Sequence, residues 1–191
     1  MKKLISAAVA LAVATIAVSA SAQDPSVKTE LRPFFGMYIP TGDQRDLFDD
    51  ATMFGLQGAL ELKPAFHLLG SFAWVPGQAK YPGAQQDVQI LQYDVGMEFN
   101  LIREMGESWL LKPFVGLGGG ARTYLYEADA LNDRTCTSGY GTIGTEFQLN
   151  RTAIRLEGRG NVFCFKSPLP NVDSKTRNDV GISLGVAYHF R

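Results

Sequence analysis

From Phe54 to Leu62 the side chains alternate, with Phe54, Leu56, Gly58, Leu60 and Leu62 on one parity and Gly55, Gln57, Ala59 and Glu61 on the other. A two-residue period sends successive side chains to opposite faces of an extended strand. The pattern returns in Phe66, Leu68, Gly70, Phe72 and Trp74 against His67, Ser71 and Ala73. It returns again in Tyr93, Val95, Met97 and Phe99 against Asp94, Gly96 and Glu98. Its repetition predicts eight strands, over 29–39, 52–62, 66–75, 87–101, 109–126, 136–149, 153–166 and 179–190. Most are long enough to cross a bilayer, which takes a tilted strand about 9–11 residues. Beyond residue 22 no apolar run reaches the length of a membrane-spanning helix, so any membrane would be met by strands.

The connections have their own rhythm. Lys63-Pro64, the stretch 103–107 and Asn150-Arg151 are short, whereas 40–50, 76–86, 127–135 and 167–178 are longer and richer in Asp, Pro, Gly and Asn. Tight turns at one end and larger loops at the other characterise transmembrane barrels. Ahead of the strands, Lys2 and Lys3 precede an apolar run from Leu4 to Val18, closed by Ala20, Ser21 and Ala22. That order predicts a secretory signal over residues 1–22, cleaved after Ala22, and a single barrel domain over 23–191. No cysteine stands at the junction, which argues against a lipoprotein. The 18 Lys and Arg are scattered among 19 Asp and Glu, so no basic face exists and no nucleic-acid partner is expected.

Alternation alone does not say which way the apolar face points, because a soluble ligand-binding barrel alternates too, with that face inward. The polar parity decides. It combines small residues (Gly116, Gly118, Gly120, Gly181, Ser183, Gly185 and Ala187) with charges of both signs (Glu61, Asp94, Glu98, Lys112, Arg122, Glu146, Arg155, Glu157 and Arg159). Small residues with paired charges suit a crowded interior of low dielectric, where a lone charge is costly. Folding about Asn150-Arg151 sets Glu146 opposite Arg155, and folding about Met105 sets Glu98 opposite Lys112; both are predicted lumenal pairs. Trp74, Tyr124 and Tyr126 at the loop-side ends, with Phe66, Trp109, Tyr188 and Phe190 at the turn-side ends, predict two interfacial aromatic belts.

With its signal segment, eight alternating strands and a last strand reading Gly181-Ile-Ser-Leu-Gly-Val-Ala-Tyr-His-Phe190, the chain resembles the small outer-membrane β-barrel domain proteins, the family of OmpA's membrane domain and OmpX. The resemblance implies an all-β fold, an eight-stranded antiparallel up-and-down transmembrane barrel, in the outer membrane of a Gram-negative cell. It further implies that Tyr188 and Phe190 form the signal read by the barrel insertion machinery, here followed by Arg191.

Little in the sequence points to chemistry. Gly116-Leu-Gly-Gly-Gly-Ala121 has the form of a dinucleotide loop, but Arg122–Tyr126 continues as strand where such a loop must open a helix. His67 and Ser71 share a face, yet no acid is placed to orient the imidazole, so no catalytic residue is expected. Asp43, Asp46, Asp49 and Asp50 offer oxygen ligands without the spacing of a calcium loop. They read as a solvated loop, and neither a metal nor a cofactor is expected. Cys136 and Cys164 fall within about one residue of register across the 150–151 turn, and a disulfide between them is predicted near the loop end.

These features together point to a non-enzymatic outer-membrane barrel with a side-chain-filled lumen. Its expected partners are membrane lipids and lipopolysaccharide, the insertion machinery and an extracellular partner reached through the four long loops. The alternatives are a soluble periplasmic barrel binding a small apolar ligand and a lipid-modifying outer-membrane enzyme.

Overall fold

Each segment with the two-residue period forms a strand. The structure, a computed structural model, describes residues 28–81, 84–105, 109–127, 133–165 and 175–190. The predicted signal segment 1–22, Arg191 and most of the connections 127–135 and 167–178 lie outside the described residues. The strands are β1 (Thr29–Thr41), β2 (Ala51–Lys63), β3 (Phe66–Tyr81), β4 (Ala84–Asn100), β5 (Trp109–Tyr126), β6 (Arg134–Leu149), β7 (Thr152–Phe165) and β8 (Lys175–Phe190). All neighbours are antiparallel. The ring closes as β8 pairs with β1 from Thr29↔Phe190 to Thr41↔Asn178, while the consecutive β4 and β5 pair from Val88↔Tyr126 to Asn100↔Phe114. A closed ladder leaves no strand edge unpaired, which is the condition for strands to stand in hydrocarbon.

The two parities differ in chemistry, with the outer one apolar and the charges gathered on the inner one. Val95 and Leu117 in mid-barrel are 68% and 66% exposed, and Phe35, Met37, Met97, Val115, Ile143, Ile154, Ile182 and Leu184 share that outer wall. Arg32, Asp94, Glu98, Arg122, Glu146, Arg155 and Asp179 are buried inside. This is the inverse of a soluble barrel, so the soluble ligand-binding alternative is set aside. Small residues on the inner parity make the fit: a Cβ on Gly118 would lie 2.3 Å from the Val95 carbonyl oxygen and 2.6 Å from the Tyr140 ring. The 116–121 run is uninterrupted strand, which disposes of the dinucleotide reading.

Local differences from expectation have local causes. The 76–86 segment is largely strand, because β3 and β4 stay paired as far as Tyr81↔Ala84 and project beyond the barrel. The β4–β5 hairpin does not turn about Met105. Arg103 and Glu104 pair with Leu111 and Leu110, so the register centres two residues later and Glu98 faces Gly116 instead of Lys112. At the β6–β7 turn Asn150 adopts φ 57°, a left-handed conformation that asparagine tolerates better than most residues.

The predicted disulfide is absent. Ser138↔Phe163 fixes the register so that Cys164 stands one residue out of line with Cys136, which turns the two to opposite faces. Cys136 is buried in the lumen, Cys164 is exposed on the outer wall, and both are free thiols. A thiol titration of the unfolded chain is therefore expected to count two thiols with or without prior reduction.

Candidate functional site

Among the described residues the lumen gathers a dense set of buried polar and charged side chains, arranged in two tiers and a stopper. At the turn end, β1, β4, β6, β7 and β8 each contribute charge. Arg32 donates to Glu30 at 2.5 Å, to Gln57 at 2.9 Å and to Glu98 at 3.3 Å. Arg155 donates to both oxygens of Glu98 and to Glu157 at 3.0 Å. Arg159 continues the chain, to Glu157 at 3.2 Å and Asp94 at 3.0 Å. Glu146 stands directly opposite Arg155 in register, with 3.8 Å between Oε2 and Nη1, and Lys112, its partner across β5–β6, approaches Oε1 to 3.5 Å. The predicted Glu98–Lys112 pair does not form; the register shift gives Glu98 to Arg155 and Arg32, and Lys112 to Glu146.

The second tier lies in mid-barrel. Arg122, 0% exposed, donates to both oxygens of Asp179 and at 2.9 Å to Gln92, while Asn161 donates to Asp179 at 2.8 Å. Four guanidiniums of the lumen also lie over aromatic rings: Arg155 over Phe114 at 3.4 Å, Arg159 over Tyr140 at 4.1 Å, Arg122 over Phe163 at 4.6 Å and Arg177 over Phe165 at 4.8 Å. Planar, weakly hydrated guanidinium suits this double role of fork and stacking face, whereas an ammonium would lose both. Between the tiers remains a cavity of about 30 Å³, lined by Arg32, Gln57, Arg155, Asn161 and Ser183. It has room for a water or two.

The stopper is made by the first long connection. Gly42–Gln44 forms one 3-10 turn, after which the chain bends inward and buries Phe48 among Tyr124 at 5.5 Å and Phe165 at 6.1 Å between centroids. Tyr38, Val75, Val88, Ile90 and Tyr126 complete this apolar cap. Tyr124 and Tyr126 thus belong to the lumen and not to an outer belt, while Trp74 faces outward with Phe54 at 6.1 Å. Parity already carried this, since both tyrosines share the parity of Arg122. Three of the four loop aspartates are spent on fastening the stopper. Asp49 pairs with Lys80, Asp50 with Arg45 at 3.7 Å, and Asp43 with Lys175, while the Asp43 carbonyl accepts from Arg177. The hydrogen bond from the Lys175 ammonium holds the exposed Asp43 carboxyl below its usual range. That contact is in place at neutral pH and is lost only as the pH falls through the lowered value.

Sequence reasoning missed Glu30, Arg32, Gln57, Gln92, Asn100, Asn161, Arg177 and Asp179, all buried. His67 and Ser71 point into the lumen. Asn100 Nδ2 meets His67 Nδ1 at 2.6 Å and Arg159 lies 3.5 Å from Ser71, so neither residue faces the lipid side. Tyr188 and Phe190 pack edge to face at 4.9 Å at the turn end.

No protein-family model and no curated protein matches the chain in sequence. Solved structures do match in shape. Neisserial surface protein A superposes with a TM-score of 0.62 at 11% identity, over 86% of this chain and 97% of that one. The outer membrane protein OprG of Pseudomonas aeruginosa gives 0.59 at 16%, over 86% and 96%. The N-terminal β-barrel domain of OprF from the same organism gives 0.54 at 13%, over 85% and 97%. At such identities the likeness is one of fold, and the fold is that of the small eight-stranded outer-membrane β-barrels.

Proposed function

We propose that the chain is an integral, non-enzymatic protein of the outer membrane, a closed barrel that anchors surface loops and conducts nothing. The observation that carries this reading is the double obstruction of the lumen by the buried ion network and the Phe48 stopper. An eight-stranded barrel is just wide enough for side chains to fill it, and between the two tiers they leave a cavity of about 30 Å³. In this reading the turn end faces the periplasm, where Tyr188 and Phe190 serve the insertion machinery, and the loop end faces outward. Lipids and lipopolysaccharide surround the apolar wall, and an extracellular partner would meet the loops, among them the projecting β3–β4 hairpin.

Planar-bilayer recording of the refolded protein tests the claim. No steady single-channel conductance is expected, and a stable open channel in the unmodified protein would contradict it.

A further inference from the structure

Both histidines of the chain converge on one carboxylate. His67 Nε2 on β3 lies 3.6 Å from Glu30 Oε1, and His189 Nδ1, whose residue is the direct partner of Glu30 across the β1–β8 seam, lies 3.0 Å from it. The other nitrogen of His189 is 3.5 Å from Glu146 Oε1. Ligand atoms of Glu30, Glu146 and His189 all fall within 4.8 Å of one another.

A second observation concerns unused bonding capacity. Glu146 is buried, yet among the described residues neither of its oxygens accepts a hydrogen bond of good geometry, and Lys112, Arg155 and Arg32 stand off at 3.5, 3.8 and 3.9 Å. Buried His67 Nε2 is likewise without a hydrogen-bond partner. Buried polar atoms are ordinarily satisfied, and exceptions call for an explanation.

We propose that this pocket binds a divalent transition-metal ion of the zinc class, with Glu30, Glu146 and His189 as ligands and His67 as the neighbouring fourth donor. Imidazole with carboxylate suits zinc, which holds such ligands at about 2.0–2.2 Å, whereas magnesium and calcium prefer oxygen alone. Glu30, Glu146 and His189 each offer a ligand atom within 4.8 Å of the other two, so side-chain rotation would draw them in around one ion. His189 faces Glu30 with one nitrogen and Glu146 with the other, and a neutral imidazole nitrogen would serve as the ligand once the ring turns to admit the ion between the two carboxylates. Glu30, Glu98 and Glu146 face Arg32, Arg155 and Lys112 here, so the dication adds charge to a balanced cluster. Lys112 is the least enclosed of the three cations and can swing toward the turn-end mouth, through which the ion would also enter past His189. An ion there would staple the first strand to the last.

The test is calorimetric titration of the untagged barrel, folded in detergent, with zinc chloride alone. One saturable ion per chain is expected, with His189→Ala and Glu146→Gln each weakening binding at least about tenfold while both variants keep the heat-modifiable migration of a folded barrel. Replacing Asp49, in the loop at the other end, by asparagine is expected to change nothing. Absence of saturable uptake by the folded protein would overturn the proposal, as would undiminished affinity in both folded variants. Should either variant fail to fold, cobalt loading of the unmodified protein decides: intense tetrahedral ligand-field bands are expected, and only the weak bands of an octahedral, water-rich ion would overturn the site.

Discussion

Replacement of Arg122 by alanine is expected to cost about 3–5 kcal/mol of folding stability, the loss typical when one partner of a buried pair is removed. Among the described residues Asp179 would keep only the Asn161 amide, inside a closely packed lumen, and Phe163 would lose its stacking partner. The converse experiment separates this loss from the net worth of the pair. Removing both charges at once, as Arg122→Met with Asp179→Leu, is expected to restore most of the stability, since apolar replacements of similar volume avoid desolvation altogether. Urea unfolding in lipid vesicles, followed through the two tryptophans, reads both. A single-variant loss below about 1 kcal/mol, the range of an exposed pair, would place Arg122 in water.

The outer wall makes the opposite demand. Leu117→Arg is expected to destabilise by about 2–4 kcal/mol in a bilayer, because the residue sits in mid-strand on the face that meets hydrocarbon. On a water-exposed wall the same substitution would fall within about 0.5 kcal/mol. The contrast between Leu117 and the neighbouring inner position Gly118, one residue away and among the tightest sites of the barrel, is the alternation of the sequence expressed as energy.

How far the sequence could be read depended on whether a property lies in one strand or between strands. The period-two pattern is a property of single strands, so eight strands, their two faces and the filled lumen were all legible. Register is a property of turns, and it was read only where the turn was tight. Asn150-Arg151 allows one closure and puts Glu146 opposite Arg155, whereas the longer 101–108 connection hid a two-residue shift of centre that reassigned Glu98 and Lys112. The disulfide failed although that register was read correctly, since Cys164 stands one residue out of line with Cys136 and an offset of one puts the two side chains on opposite sides of the wall. The stopper was illegible for another reason: Phe48 lies in an irregular connection without periodicity, and its burial depends on the aromatic ring of Tyr124, Phe163 and Phe165 assembled from distant strands. Contacts across the lumen, such as Arg122 with Asp179 and the convergence of both histidines on Glu30, follow from closure of the barrel.

Trp74 and Trp109, both outward-facing and near opposite ends of the barrel, are native probes of the central claim that this wall lies in lipid. Their fluorescence in vesicles containing lipids brominated at graded depths measures it directly. Quenching of both, strongest for bromines close to the headgroups, is the predicted result. Fluorescence indifferent to bromine at every depth would show that the apolar wall does not meet the bilayer.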